Sequence, residues 1–211
     1  GYTMSERKVG ETVEEYFEEA KGRVIVATFA SNIHRIQQVY DAAVRHRRKV
    51  CFQGRSMINI SNLAKELGYL QVDPKHLVEL EELKNLKDNR VCVITTGSQG
   101  EPRSGLSRMA SDSHKLTIKK GDMVIISASA IPGNEKSVSH VINQLFQRGV
   151  TVIYQSMADI HTSGHAKQEE LKLILTLTKP KYFIPVHGEY RHLVHHVMLA
   201  EGQGVQPKDI F

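Results

Sequence analysis

Short runs of β-branched residues alternate along the chain with longer amphipathic segments. The runs are apolar on both faces, as strands inside a parallel sheet are, and they lie at residues 23–28, 49–52, 90–95, 122–127, 151–154 and 181–186. The segments between them repeat apolar residues at helical spacing and cover residues 32–46, 57–67, 135–147, 167–177 and 190–200. This alternation predicts an α/β fold with a mostly parallel, doubly wound sheet and helices on both faces.

Two segments depart from the alternation. Residues 5–21 carry many charges but place Val9, Val13 and Phe17 on one side, which predicts an amphipathic helix. Residues 72–89 are rich in Leu, Glu and Lys without a clear period, and we expect a short helical excursion there.

The composition is that of a folded globular chain and excludes several classes of protein. With 40% hydrophobic and 24% charged residues in 211, the chain is neither collagen-like nor disordered nor a coiled coil. No apolar run approaches the ~18 residues that a membrane span needs, so we expect a cytoplasmic protein without a membrane partner. Cys51 and Cys92 lie inside apolar runs, which predicts free, unreactive thiols. A net charge of +5 and a pI near 9.1 favour polyanionic partners such as nucleic acid.

Polar loops follow three of the predicted strands, at the sheet edge where ligands bind in α/β folds. Glycines, hydroxyls and helix starts in such loops offer N–H groups to a phosphate. The candidate residues in the first two loops are Ser31, Asn32, His34, Arg35, Gly97, Ser98 and Gln99, and the third loop is residues 127–135. For Ser31, Asn32 and Ser98 the alternative is helix capping, and the sequence leaves both interpretations open.

Histidines concentrate near the C-terminus, where six of the eleven occur. His161 and His165 are four residues apart, which on one helix face suits a metal. Ser163 and Gly164 between them favour instead a turn that presents imidazole and N–H groups to an oxyanion, and a chance pairing is the remaining alternative. His187 follows the last predicted strand at the same edge and is a metal-ligand candidate.

A further histidine group lies in the last predicted helix at helical spacing. His192, His195 and His196 could bind an adventitious metal, but no carboxylate stands at a matching spacing beside them. We expect a solvated helix face and leave these three residues out of the site.

Six motifs along the chain, taken together, resemble a known family. They are GYTMSERKVGET (1–12), ATFASNIHRIQQ (27–38), TTGSQGEP (95–102), IPGNEK (131–136), HTSGHA (161–166) and KPKYFIPVHGEYR (179–191). In this order they resemble ribonuclease J, from the β-CASP branch of the metallo-β-lactamase superfamily, over essentially the whole chain. The resemblance implies a zinc-dependent ribonuclease that trims RNA from a 5′-monophosphate end and also cuts internally.

The resemblance implies a division of the chain and roles for its residues. Residues 1–21 would be a helix connecting from the lactamase domain, 22–155 the β-CASP domain, and 156–211 an αβα piece returning to the lactamase fold. His187 would be the last metal ligand, and His165 the catalytic histidine that steadies the scissile phosphate. The residues that would contact phosphate or RNA are His161, Ser163, Gly164, Ser31, Asn32, His34, Arg35, Gly97, Ser98 and Gln99.

The chain departs from the family in its zinc ligands. The motif His-x-His-x-Asp-His is absent from these residues, whereas the family's enzyme uses two zinc ions. One ligand cannot hold two ions, so we expect an incomplete zinc site in a fragment that does not hydrolyse RNA by itself.

Three functions are compatible with these observations to different degrees. The first is the RNA-binding β-CASP region of a zinc-dependent ribonuclease, with single-stranded 5′-monophosphorylated RNA and a second copy of the full-length enzyme as expected partners. The second is a non-catalytic RNA-binding or dimerisation module, which the absence of an upstream His-x-His-x-Asp-His would favour. The third, an unrelated nucleotide-binding domain, lacks both Gly-x-Gly-x-x-Gly after the first strand and a Gly-Lys-Ser/Thr loop.

Overall fold

A computed structural model describes residues 1–155 and 157–211 of the chain. Within these residues five strands form one parallel sheet: β1 (Val24–Ala27), β2 (Lys49–Gln53), β3 (Val91–Thr95), β4 (Met123–Ile126) and β5 (Thr151–Ile153). Their order across the sheet is β2-β3-β1-β4-β5. The α/β prediction is confirmed, and the first five predicted strands agree with the observed ones to within one residue at either end.

The helices in the described part of the chain follow the predicted amphipathic segments closely. They are α1 (Glu6–Glu19), α2 (Ile33–Arg45), α3 (Arg55–Glu66), α4 (Gly105–Ala110), α5 (Glu135–Gln147), α6 (Gln168–Thr178) and α7 (Tyr190–Gly202). Only the short α4 was not expected. The segment 72–89 forms 3-10 turns at Pro74–His76, Leu80–Asn85 and Asp88–Arg90 rather than an α-helix.

The sixth predicted strand, at residues 181–186, does not form. Phe183 makes an isolated parallel bridge to Ile210, through bonds of 2.9 Å to the Asp209 carbonyl and 3.0 Å from the Phe211 N–H. Pro185 has no N–H to donate, and Val186 is 73% exposed. A β-branched run becomes a strand only where a neighbour pairs with it over several residues, and here one residue is paired.

The described residues form two compact units. The sheet unit comprises Ser5–Thr162, and the C-terminal unit comprises Gly1–Met4 with Ser163–Phe211. Every residue of β1 and β3 is buried. The C-terminal unit has a smaller buried cluster of Leu175, Ala200 and Val205, against which Phe183 and Ile210 pack. Ser156, the predicted first residue of the returning segment, lies outside the described residues, and the predicted domain division stays a prediction.

Both cysteines are buried and free, as expected from the apolar runs around them. Burial raises the pKa of Cys51 to about 11 and that of Cys92 to about 12, so both thiols stay protonated at neutral pH. Among the described residues, no helix has the length and apolar character needed to cross a bilayer.

Candidate functional site

Loops that follow β1, β3 and β4 meet at one edge of the sheet. The Thr28 N–H donates to the Thr95 carbonyl at 3.1 Å, and the Thr28 hydroxyl donates to the Ser127 carbonyl at 3.4 Å. The chain leaves β1 towards β2 and leaves β4 towards β5, in opposite directions. In open α/β sheets, ligands generally bind where adjacent strands send their connections in opposite directions, and here the strand order singles out the carboxyl ends of β1 and β4.

The first loop combines exposed and structural residues. The Asn32 side chain accepts a 3.1 Å bond from the Arg35 N–H and caps α2, so the capping alternative is correct for this residue. Ser31 and His34 are exposed at the same helix start. Arg35 is fully buried, and its guanidinium donates to the Glu6 carboxylate at 2.6 Å, the Ile160 carbonyl at 2.7 Å and the Ser127 hydroxyl. The guanidinium of Arg35 is thus enclosed by the fold of the described residues and bridges three of its segments.

The second loop is held tightly to the third. Gln99 is 4% exposed, and its side chain donates to the Ser129 carbonyl at 2.8 Å and accepts from the Ile131 N–H at 2.7 Å. Gly97 has φ +113°, and a Cβ there would come within 2.4 Å of the Ser104 hydroxyl. Ser98 is buried. The next helix along the described chain is α4, which is capped by Ser104, so the capping alternative does not apply to Ser98. The loop is thus a preformed backbone turn.

His161 lies one residue before the end of the sheet unit, and one nitrogen of its ring has no partner in the described chain. Its ring is partly buried, and among the described residues Nδ1 has no hydrogen-bond partner. Burial lowers the pKa of His161, and the positive charge of Arg35 lowers it further. The imidazole is therefore neutral at pH 7, with one ring nitrogen unused inside the protein. A buried polar atom without a partner needs an explanation, and a bound ligand or water would supply one.

In the C-terminal unit, His165 and His187 come together although they are far apart in sequence. Their ring centroids are 5.1 Å apart, with the planes inclined at 35°. The Ser163 hydroxyl accepts from the His165 N–H at 3.0 Å, and the Thr3 hydroxyl donates to the His165 carbonyl at 3.3 Å. Ser163, Gly164 and both histidines are exposed. Two accessible imidazoles in contact are suited to a metal ion or to a phosphate oxygen.

The backbone at His187 is held in a conformation that side chains rarely adopt. His187 has φ +77°, and it is followed by Gly188 with φ +90°. A left-handed non-glycine residue costs on the order of 1–3 kcal/mol and occurs preferentially at functional sites. This strain is an observation independent of the ring contact with His165.

Two of the three histidines of α7 have structural contacts. The His192 Nδ1 accepts from the Glu189 N–H at 2.9 Å at the start of α7. His196 packs edge to face on Phe183, with ring centroids 4.9 Å apart. These contacts support leaving His192 and His196 out of the site, and His195 is exposed.

The chain's residues fit part of a zinc site and no more. His187 offers an accessible imidazole, which is a good zinc ligand. In the described ranges, no three His, Cys, Asp or Glu side chains converge as a metal site would require. A zinc ion at His187 would need ligands from other residues.

The structure thus places the predicted site residues in two groups. Ser163, Gly164, His165 and His187 lie in the C-terminal unit, and the others lie at the sheet edge of the sheet unit. The sequence analysis missed three arginines, Arg55, Arg103 and Arg108, which line a pocket beside Gly97 and Ser98. The available signal was that Arg55 lies two residues after β2, at the same edge as the other loops.

Two family models match the chain. Residues 21–145 match the model described as ribonuclease J, beta-CASP domain. Residues 149–210 match the model described as Zn-dependent metallo-hydrolase RNA specificity domain.

Several curated relatives match over essentially the whole chain. The chain is 50% identical to ribonuclease J of Thermus thermophilus over 99% of its length, 48% identical to ribonuclease J of Helicobacter pylori strain J99 over 100%, and 43% identical to ribonuclease J2 of Bacillus subtilis over 100%. These matches cover 36%, 31% and 38% of the respective relatives. The chain therefore spans about a third of the length of the curated relatives it matches.

Proposed function

The chain belongs to the ribonuclease J family, and from this membership we propose that it is the RNA-binding β-CASP region of a zinc-dependent ribonuclease. The β-CASP domain would occupy residues 22–155 and the segment returning to the hydrolase domain residues 156–211. The substrate would be single-stranded RNA with a 5′-monophosphate, cleaved in the cytoplasm during RNA processing and decay, from the end or internally. The full-length enzyme would form homo-oligomers.

The contact between His165 and His187 is the observation that carries the proposal. It joins two separate motifs at one exposed position, and His187 has a strained backbone there. His187 would hold a zinc ion together with ligands from outside this chain. Zinc supplies a hydroxide at neutral pH and stabilises charge on a phosphodiester. His165 would donate a hydrogen bond to a phosphate oxygen, and Ser163 and Gly164 would shape the turn that presents it.

The sheet edge would bind the RNA backbone. The loop at Gly97–Gln99 is preformed by its bonds to the loop after β4. The Gln99 N–H already donates to the Glu101 carboxylate at 3.2 Å, so a phosphate would meet the other N–H groups of the loop. Ser31, Asn32, His34 and His161 lie in neighbouring loops of the same unit. Arg35 would position these loops rather than contact RNA, because its guanidinium is buried.

Separate roles for the two histidines can be tested in a polypeptide that carries this chain and a His-x-His-x-Asp-His motif. We expect His187→Ala to lose bound zinc and activity together, because the residue is a ligand. We expect His165→Ala to keep its zinc while single-turnover cleavage slows by about 10²- to 10³-fold, as when one transition-state donor is lost. The measurements are metal analysis and single-turnover cleavage of one 5′-monophosphorylated oligonucleotide.

His195→Ala is the matched control, since this exposed histidine lies outside the site; it should keep both zinc and rate. The 211-residue chain by itself, assayed alongside, should cleave nothing, because it supplies one ligand. A zinc-free His165→Ala, a fully active His187→Ala, or zinc-dependent cleavage by the 211-residue chain would contradict the assignment.

A further inference from the structure

A pocket of about 800 Å³ opens in the sheet unit at the carboxyl ends of β1, β2 and β3. Its wall includes Phe29 after β1, Arg55 at the start of α3, and Arg103 and Arg108 from the segment after β3. Pockets that accept small ligands measure roughly 300–1,000 Å³. The space is therefore sufficient for a nucleotide.

The arginines in this wall are not neutralised by carboxylates. Arg55 and Arg103 are exposed, and the side chain of neither makes a hydrogen bond or ion pair with any residue in the described ranges. Arg108 donates to the Ser113 carbonyl, at 3.3 Å from Nε and 2.9 Å from Nη2. Glu101 also lines the pocket, where its carboxylate accepts from the Gln99 N–H at 3.2 Å. Three guanidinium groups against one carboxylate leave the wall positively charged.

Several arginines elsewhere in the same unit pair with carboxylates: Arg23 with Asp122, Arg45 with Glu14, and Arg148 with Asp112. Arg47 and Arg90 are exposed without a side-chain partner in the described ranges, but they do not line this pocket. Arginine forks bind phosphate in two-point contacts, and guanidinium groups that converge on a cavity are available for that purpose. The convergence of three arginines on one pocket, rather than the lack of a partner alone, points to an anionic ligand.

Two neutral groups add donors to the same wall. Helix α3 begins after Gly54 without a side-chain cap, so N–H groups of its first turn are unused by a cap. The His114 Nδ1 accepts from the Leu116 N–H at 3.0 Å. Burial and the charge of Arg108 lower the pKa of His114, so at pH 7 the ring is neutral and carries its proton on Nε2 as a donor.

Phe29 gives the pocket an apolar aromatic side. A partly buried ring beside guanidinium groups is the combination that proteins use for single-stranded nucleic acid, with bases stacked on the ring and phosphates on the arginines. We propose that this pocket binds one nucleotide of single-stranded RNA, with its phosphate on Arg55, Arg103 and Arg108 and its base on Phe29. The identity of the ligand as RNA rests on the proposed function, whereas the pocket itself does not.

Fluorescence anisotropy of a labelled single-stranded oligouridine of about eight nucleotides, titrated with the 211-residue chain from about 50 mM salt upwards, tests the proposal. We expect Arg55→Ala and Arg103→Ala each to weaken binding about ten-fold or more, as the loss of a charged hydrogen bond does. Each should also lower the slope of log affinity against log salt by about 0.7. Phe29→Leu should weaken binding about five-fold or more without changing the slope.

Arg90→Ala is the matched control, because Arg90 is an exposed arginine outside this pocket and the substitution changes the net charge equally. It should alter affinity by less than about two-fold. Thermal melting of every variant by circular dichroism confirms that the fold is retained.

The outcomes separate this inference from the proposed function. If the unsubstituted chain binds RNA with a steep salt dependence but both arginine variants bind like Arg90→Ala, the pocket assignment is wrong and the proposed function stands. If the chain binds no RNA even near about 50 mM salt, both fail.

Competition with uridine 5′-monophosphate and with inorganic phosphate distinguishes a nucleotide pocket from a general anion site. The mononucleotide should displace the oligonucleotide at lower concentration, and equal displacement overturns the role of Phe29.

Discussion

At the scale of single residues, Arg35 shows how burial changes the meaning of a charged side chain. From the sequence it is a basic residue in a polar loop, and we predicted contact with RNA. In the structure its guanidinium joins Glu6 of α1, Ser127 after β4 and the carbonyl of Ile160. Ile160 precedes His161, so the guanidinium fixes the chain on which a predicted phosphate-contacting residue stands. No sequence pattern reports this, because the partners lie in three distant segments.

Replacing Arg35 by Met should destabilise the sheet unit by up to about 3 kcal/mol, the low end for breaking a buried ion pair from one side, because the Glu6 side chain is 33% exposed. The Glu6 carboxylate would lose this donor, and the Ile160 carbonyl would keep the bond from the Ser127 hydroxyl at 2.5 Å. Urea unfolding followed by circular dichroism measures the change. Arg7→Met is the control: Arg7 is exposed and lies 3.7 Å from Glu11, so its loss should cost less than about 0.5 kcal/mol. Equal unfolding midpoints for the two variants would contradict the structural role of Arg35.

At the scale of elements, the helices α1 and α2 pack through apolar faces and are joined at the surface by Glu14. Val9, Val13 and Phe17 of α1 are buried. The Glu14 carboxylate accepts from Arg45, and lies 2.8 Å from the His46 Nε2. The hydrogen bond from Arg45 lowers the pKa of Glu14 below 4.5 more than burial raises it. The ion pair therefore stabilises the folded state above the unfolded pKa, and this stabilisation is lost as the pH falls through the folded pKa.

Arg45→Ala should lower the free energy of unfolding at pH 7 by up to about 1 kcal/mol, since the pair is partly exposed to solvent. The difference from the unsubstituted chain should shrink as the pH falls through the folded-state pKa of Glu14, below which the carboxyl is protonated in both states. Urea unfolding at a series of pH values measures it. Lys21→Ala, at an exposed lysine just after α1, should show no such dependence, and a pH-independent loss in Arg45→Ala would rule out the ion pair as its cause.

The elements also show where prediction from sequence succeeds and fails. The five strands of the sheet were predictable because each lies in a short apolar run, and such a run is itself the sequence signal of a strand inside a parallel sheet. The run at 181–186 contains Pro185, a local signal against a central strand, and its pairing also depends on a neighbour that the local pattern does not reveal. The six-residue α4 is too short to show a helical period, and only its cap at Ser104 marked it.

At the scale of the whole molecule, the sequence predicted that His165 and His187 lie together, but for a different reason from the one observed. Both were expected at one sheet edge, with His187 after a strand at residues 181–186. That strand does not form, and the two rings lie 5.1 Å apart in the C-terminal unit. The arginine pocket was not predicted, because Arg55 and Arg103 belong to loops that only the strand order β2-β3-β1 makes neighbours. Strand order depends on tertiary packing, and the hydrophobic pattern does not contain it.

The two units should differ in local stability, because their buried cores differ in size. The sheet unit has β1 and β3 fully buried, whereas Leu177 and Tyr190 of the C-terminal unit are 70% and 81% exposed. Amides with many buried neighbours exchange only on global unfolding, and those in sparsely packed helices exchange through local opening. Hydrogen exchange of the 211-residue chain at pH 7, followed by mass spectrometry of its peptides, should show β1 and β3 as the slowest segments and α6 and α7 as much faster.

Leu175→Ala should speed exchange in α6 and α7 further while leaving β1 unchanged, because Leu175 belongs to the buried cluster of the C-terminal unit. Equal protection of α7 and β1, or an accelerated β1 in that variant, would mean that one cooperative core holds both units.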